Sequence, residues 1–221
     1  MTHAASPIDV WILVFPNFLL LDATGPAQVF ASANDEAVDA GLPPPYRVHI
    51  AAPDGGVVAS SSGVSLLAEA LPAAPGKATL IVAGGRVRDL PSASSPVLGW
   101  IREASSQVTR CCAVCTGAFV LARAGLLDGR RVVTHWQDVE ALRAEHPTLK
   151  VLDNAIHVRD DKFRTSAGIS AGMDLALSLV EEDLGRQRAL AVARRLVLFL
   201  KRPGGQRQVR AELLAESQDE G

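Results

Sequence analysis

The sequence predicts a single α/β domain built on a mainly parallel sheet with helices on both faces. Short apolar runs of strand length, such as 10–15 and 79–83, alternate with helix-length amphipathic stretches through the middle of the chain. The ends of those runs carry sharp punctuation: Pro16, Gly84-Gly85 and Cys115-Thr116-Gly117. At 221 residues there is enough chain for one α/β core and a tail, and too little for two large domains.

In order, residues 8–15 form an unbroken apolar run ended by Pro16, as a central parallel strand buried on both faces requires. Thr24 is suited to N-cap a helix with Pro26 in its first turn, which predicts a helix over 25–34. Asp22 then lies between strand and helix, at the edge where open α/β sheets bind ligands. Residues 35–45 read as loop and 46–52 as a strand. Pro53 to Gly56 reads as a turn, followed by a rim hairpin from 57–60 and 63–67. Residues 79–83 are the next buried strand and 94–106 a helix. A strand from Val108 turns sharply at Cys115 into an apolar helix directed toward Leu127.

Residues 130–135 read as a strand and 137–145 as a short helix stopped by Pro147. Late strands are expected at 149–152, 155–158 and 162–165, with Arg159 to Asp161 as a hairpin turn. Ser170 is placed as the cap of a helix that reaches Leu184 and ends at Gly185. The last helix, 187–201, carries Ala189, Val192, Ala193, Leu196, Val197 and Leu200 on one stripe. Leu198 and Phe199 widen that stripe beyond one contact, which suits a second subunit. Pro203 to Gly205 ends the helix, and 206–221 reads as a polar tail.

Composition excludes several classes. A net charge of −2, from 22 basic and 24 acidic residues, offers no overall footprint for nucleic acid or an anionic membrane. No apolar run approaches the length of a membrane span, and no basic residue precedes the first apolar run as a signal peptide requires. Three cysteines within five positions cannot form a spaced disulfide framework and suit a reducing compartment. A soluble cytoplasmic protein is expected.

Cys115 is the candidate nucleophile. A side chain at a strand-to-helix corner is pushed out of the sheet, and the following helix aims free N–H groups at it, which favours thiolate. The competing reading is a small buried hydrophobe, as most free cysteines are. Asp22 and Gly84-Gly85 lie beyond the ends of two other predicted strands, at the same sheet edge. A thiol, a carboxyl group able to shuttle a proton and backbone N–H donors are the parts of nucleophilic catalysis. Thr116 and Gly117 supply the first amides of the helix after Cys115. The paired glycines either let a ligand approach the backbone or form a plain tight turn. His135, at the end of the adjoining strand, is either a base or orienter, or a cap of the next helix.

Cys112 to Cys115 has C-x-x-C spacing, yet Cys112 falls inside the strand, whereas a redox dithiol needs both cysteines around a helix start. No second pair of ligands exists for zinc, and Gly84-Gly-Arg-Val-Arg88 lacks the phosphate-loop pattern. No metal or cofactor is expected.

Five segments together resemble the ThiJ/PfpI superfamily. They are Leu21-Asp22-Ala-Thr-Gly-Pro26, Val82-Ala-Gly-Gly85, Val114-Cys115-Thr-Gly-Ala-Phe-Val-Leu-Ala122, 125–136 and 165–174. The resemblance spans about 8–200. It implies a flavodoxin-like, class I glutamine amidotransferase-like fold, a nucleophile-elbow cysteine at Cys115, an acidic partner at Asp22 and a homodimer. The pairing of Cys115-Thr116 with Asp22 is similar to isonitrile hydratase, in which cysteine attacks the isonitrile carbon and water adds to give an N-substituted formamide. The protease branch has histidine after the cysteine, where this chain has Thr116.

Residues 180–206 resemble the segment that joins such a domain to the helix-turn-helix part of AraC-family transcriptional regulators. This implies a ThiJ/PfpI-like domain over 8–202 and, over 203–221, a polar tail or linker to a DNA-binding domain absent from the chain. The basic cluster Arg186, Arg188, Arg194, Arg195, Lys201, Arg202, Arg207 and Arg210 fits either a linker near DNA or a solvated helix face. Two functions from different classes follow: a ligand-sensing and dimerisation domain with a pocket around Cys115, Asp22 and Gly85, or a cysteine-dependent hydratase. Redox sensing at Cys115 is a third. The expected partners are a small-molecule effector or substrate, a second copy of the chain and, through the absent domain only, DNA.

Overall fold

The computed structural model describes residues 6–198 together with 204, 205 and 208. The chain runs β1 (Ile8–Leu13), α1 (Leu20–Asp39), β2 (Tyr46–Ala52), β3 (Asp54–Ala59), β4 (Ser65–Ala70), β5 (Thr79–Val82), α2 (Pro96–Gln107), β6 (Arg110–Val114) and α3 (Gly117–Arg123). It continues through β7 (Arg131–Val132), α4 (Val139–Glu145), β8 (Lys150–Val151), β9 (His157–Asp160), β10 (Phe163–Ser166), α5 (Ser170–Leu184) and α6 (Arg186–Arg195). Eight strands form one sheet in the order β3-β4-β2-β1-β5-β6-β10-β9, and β7 pairs with β8 in a separate two-stranded sheet. All neighbours from β4 to β10 are parallel, while β3 and β9 are antiparallel edges.

Every residue of β5 and β6 is buried, because helices cover both faces of the sheet there. Helices α1, α5 and α6 pack together, and α2 packs with α3, which also contacts β5 and β6. Strand order reverses between β1 and β5, so the loops leaving these strands diverge and open a crevice at their carboxyl ends. That crevice holds the site. At the opposite edge, Arg110 donates to both carboxylate oxygens of Asp183 at 2.8 Å and through Nε to Thr79 at 3.0 Å. Tyr46 donates its hydroxyl to Asp183 at 2.9 Å, so one carboxylate ties β2 and β6 to α5.

The structure corrects several expected boundaries. α1 begins at Leu20, not Gly25, so Asp22 stands in its first turn and Pro26 lies inside it. Thr24 does not cap; its hydroxyl donates to the carbonyl of Leu20 at 2.9 Å within the helix. The start is fixed from outside the helix, where Leu19 N–H bonds to Gly84 O at 2.8 Å and Phe18 bridges to Gly85. The turn expected at 53–56 is the start of β3, with Gly55 and Gly56 in left-handed conformations at φ 67° and 83°.

The strand expected at 130–135 shrinks to β7, outside the main sheet, because Val133 N–H bonds instead to the Thr165 hydroxyl at 2.8 Å. The reversal after β9 falls at Asp161-Lys162. α6 is assigned to Arg195; Leu198 packs against this chain's own core, and Phe199 to Lys201 lie outside the described residues. In the basic cluster, Arg195 is engaged by Glu36 and Asp39 of α1, and Arg188 by the Glu36 carbonyl. Lys201, Arg202, Arg207 and Arg210 lie outside the described residues. No helix among the described residues is long and apolar enough to cross a membrane.

Candidate functional site

Cys115 follows directly on β6 with φ +58°, a left-handed conformation that costs a non-glycine residue about 1–3 kcal/mol and persists only when neighbours hold it. They do. Its N–H donates to Ser166 O at 2.9 Å, and the Thr134 hydroxyl donates to its carbonyl at 3.1 Å. The sharp corner turns the chain into α3, and Gly117 permits it: a Cβ there would run into the Val82 carbonyl oxygen. Gly117 thus owes its identity to packing inside the corner.

Asp22, Gly84, Cys115 and Thr116 converge. A Cβ on Gly84 would lie 2.6 Å from Asp22 Oδ2, 2.8 Å from Cys115 Cβ and 2.9 Å from Thr116 Oγ1. Only a residue with no side chain lets three elements meet there. Asp22 is fully buried and accepts N–H groups from Gly84 at 3.1 Å and from Ile169 at 2.8 Å, one on each carboxylate oxygen. Burial raises its pKa to about 6, against the two backbone N–H groups and the Cys115 side chain, whose hydrogen bonds favour the carboxylate. The Thr116 hydroxyl donates to Gly85 O at 2.6 Å and accepts Gly85 N–H at 2.9 Å.

The surroundings work against the expected thiolate. Burial pushes the Cys115 thiol well above the ordinary range, the Asp22 charge raises it further, and the Thr116 N–H opposes them without prevailing. Helix α3 is only 7 residues long, so its macrodipole is weak beside desolvation. Cys111 and Cys112 sit fully buried inside β6 with their thiols also pushed up by burial, and all three cysteines are free. Cys112 pairs in register with Ile81 and Arg164, so the C-x-x-C spacing does not form a dithiol at a helix start.

A cavity of about 460 Å³ opens over Cys115 and Thr116. Leu19 and Ile169 line one part of it, the Gly85–Arg88 segment a second, and His135, Gln137 and Asp138 a third. His135 therefore belongs to the cavity through the loop after β7 and not through a neighbouring strand. Its Nδ1 accepts the Gln137 N–H at 3.4 Å and lies 3.8 Å from Asp138. Burial lowers the His135 pKa and raises that of Asp138, which keeps the imidazole neutral at pH 7. Among the described residues no group of three metal-ligating side chains is gathered for an ion.

Sequence reasoning missed Gly168 and Ile169. Gly168 has φ +101°, and a Cβ on it would lie 2.6 Å from Cys115 Sγ and closer still to its Cβ. Ile169, a β-branched residue at φ 49°, presents its N–H to Asp22 and lines the cavity. The run Gly168-Ile-Ser-Ala-Gly172 was the available signal, since a glycine directly after a strand end permits a left-handed turn.

The DJ-1/PfpI family profile matches residues 9–182. The HTH-type transcriptional regulator CdhR of Pseudomonas aeruginosa is 32% identical over 88% of this chain and 56% of its own length. Isonitrile hydratase of Pseudomonas putida is 34% identical over 84% of this chain and 76% of its own. The chain thus spans little more than half of the regulator it matches. Among solved structures, an AraC family transcriptional regulator from Pseudomonas putida superposes with a TM-score of 0.72 at 24% identity, covering 86% of this chain and 100% of that one. That likeness establishes the flavodoxin-like fold. With the profile covering the sheet, the Cys115 corner and α5, the chain belongs to the DJ-1/PfpI family.

Proposed function

We propose that this chain is the ligand-sensing and dimerisation unit of an AraC-type transcription regulator acting in the cytoplasm, and that the cavity over Cys115 takes a small effector. The observation that carries this reading is the geometry of the site: Cys115 and Thr116 line an open cavity, and the fully buried Asp22 carboxyl group meets them at Gly84. Thr116, the third residue of the expected catalytic set, spends its hydroxyl proton on the Gly85 carbonyl. Such a site is organised to hold a molecule more than to attack one. The similarity to CdhR over most of the chain supports the same reading. DNA contact would belong to a further domain of a longer protein, joined through 203–221. Dimerisation is supported by Val57 and Leu67, directly opposed on the β3–β4 edge hairpin and 75% and 79% exposed.

A second reading, an enzyme of the isonitrile hydratase type, is favoured by the hydrogen bond between Cys115 and Asp22. In it Cys115 sulfur bonds to the isonitrile carbon as the thiol proton passes through Asp22 to that carbon, giving a thioimidate; water then adds to the same carbon and the sulfur leaves as the thiol, releasing an N-substituted formamide. Cys115→Ser separates the readings. A sensor keeps effector binding within a few-fold and keeps its dimer, whereas an enzyme loses turnover by orders of magnitude. Measurable hydration of an isonitrile that vanishes in Cys115→Ser would displace the sensor reading.

A further inference from the structure

We propose that the molecule this cavity takes is a small organic monoanion, a carboxylate, held by Arg86 and Arg88 with its apolar part against Leu19, Val87 and Ile169. This rests on the reading of the cavity as a ligand site and adds the chemistry of the ligand.

The two guanidinium groups come from one short segment. Gly84-Gly85 turns the chain away from β5, Arg86 is extended at φ −65° and ψ 136°, and Val87–Asp89 forms a single 3₁₀ turn. Both arginines line the cavity. The Arg86 side chain has no hydrogen-bond or ion-pair partner among the described residues, and that of Arg88, 75% exposed, has only Asp89 at 3.9 Å. Three arginines elsewhere are closely matched, Arg110 to Asp183 at 2.8 Å, Arg123 to Glu145 at 2.6 Å and Arg195 to Glu36 at 2.8 Å. A planar fork of N–H donors left open beside a concave surface matches a carboxylate.

The acids near the cavity limit how much negative charge it can take. Asp22 is fully buried with each oxygen taken by a backbone N–H, and Asp138 lines the far side of the cavity. His135 adds no positive charge at pH 7. Asp89, 3.9 Å from Arg88, sits beside the pair, which leaves Arg86 as the guanidinium with no acid against it among the described residues. Asp138 on the far side nevertheless disfavours a dianion such as a phosphate monoester, so a single negative charge fits best. Leu19, Val87 and Ile169 supply apolar contact for a short carbon chain.

Cys115 is a built-in reporter of charge selection. Iodoacetate and iodoacetamide deliver nearly the same group with the same iodide leaving group, the thiol sulfur forming the new bond to carbon and losing its proton to solvent. They differ in charge. The iodoacetate-to-iodoacetamide rate ratio at Cys115, read by peptide mass spectrometry, is compared with that of the neutral thiol N-acetylcysteinamide at the same pH and salt. The ratio at Cys115 is expected to exceed the reference by about threefold to tenfold, a modest case of electrostatic focusing in a cleft. It should fall to the reference in the Arg86→Gln, Arg88→Gln double variant and decline with added salt.

The second arm measures thermal stabilisation of wild type and the double variant by isovalerate and by isovaleramide. Stabilisation by the acid alone, lost in the double variant, is expected. A Cys115 ratio at or below the reference, or a stabilisation by the amide equal to that by the acid, overturns the monoanion proposal while leaving the ligand-site reading in place. If isovalerate fails to stabilise the wild type, the monoanion proposal is overturned whatever the labelling of Cys115, whose side chain is buried.

Discussion

Replacing Asp22 by asparagine tests the electrostatics at the heart of the site. The folded protein holds this carboxyl at a pKa of about 6 against 3.8 for an ordinary aspartate, the desolvation of a buried charge outweighing three hydrogen bonds. A raised carboxylate pKa means that the folded state binds the proton more tightly than the unfolded state. The associated stability is fully present below the unfolded pKa and is lost as pH rises through the folded one. At 1.36 kcal/mol per unit, the cost of ionising Asp22 in place is about 3 kcal/mol, complete above about pH 6. The neutral amide of the Asp22→Asn variant carries no such cost.

The variant has its own fixed penalty, because an amide NH₂ facing either the Gly84 or the Ile169 N–H leaves that donor without an acceptor, worth about 1–3 kcal/mol. Urea unfolding of both proteins from about pH 4.5 to about pH 7.5 isolates the titration, since every other group titrates in both. Wild type should be the more stable at the acid end. The gap should close by about 2 kcal/mol toward neutral pH, the part of the shift that lies inside this window. Two stability curves that stay parallel within about 0.5 kcal/mol would refute the claim that burial controls this carboxyl.

Other substitutions probe the corner and the opposite edge. Gly168→Ala places a Cβ on Cys115 at a φ of +101°, so strain and overpacking together should cost about 2–5 kcal/mol. Gly56→Ala, at φ +83° with open space around it, should cost only about 1 kcal/mol; equal losses in urea unfolding would show that the Cys115 contact is unimportant. Thr116→Val removes the hydroxyl that serves both polar groups of Gly85 and should cost about 2–4 kcal/mol, with Thr116→Ser recovering most of it. Asp183→Ala strands the buried Arg110 guanidinium and should lower stability by about 3–5 kcal/mol, a loss that calorimetry would register and that a change below about 1 kcal/mol would contradict.

Much of the fold could be read along the chain because its signals are local. The buried runs at β1, β5 and β6, the hairpin at the rim, the glycine stop at Gly185 and the corner at Cys115 each depend on a few consecutive residues. Boundaries failed where distant contacts overrode local preference. α1 starts five residues before the position Thr24 and Pro26 suggested, because Phe18 and Leu19 are seated on Gly84-Gly85 across the crevice. The strand after Arg130 is cut short because its backbone is claimed by the Thr165 side chain.

The sequence by itself determined the fold class, the parallel core and the candidacy of Asp22, Cys115, Thr116 and Gly84-Gly85, since each follows from residue type and position at a strand end. Only the tertiary structure decided that Asp22 meets Ile169, 147 positions away, that Gly168 is the surface against which Cys115 packs, and that Gly117 serves packing. It also set burial against the expected state of the thiol. A helix start after Cys115 argues for thiolate, but the protonation of a group depends on how much water and which charges the whole fold leaves around it. That quantity is a sum over the packed environment, to which residues far apart in the chain contribute together.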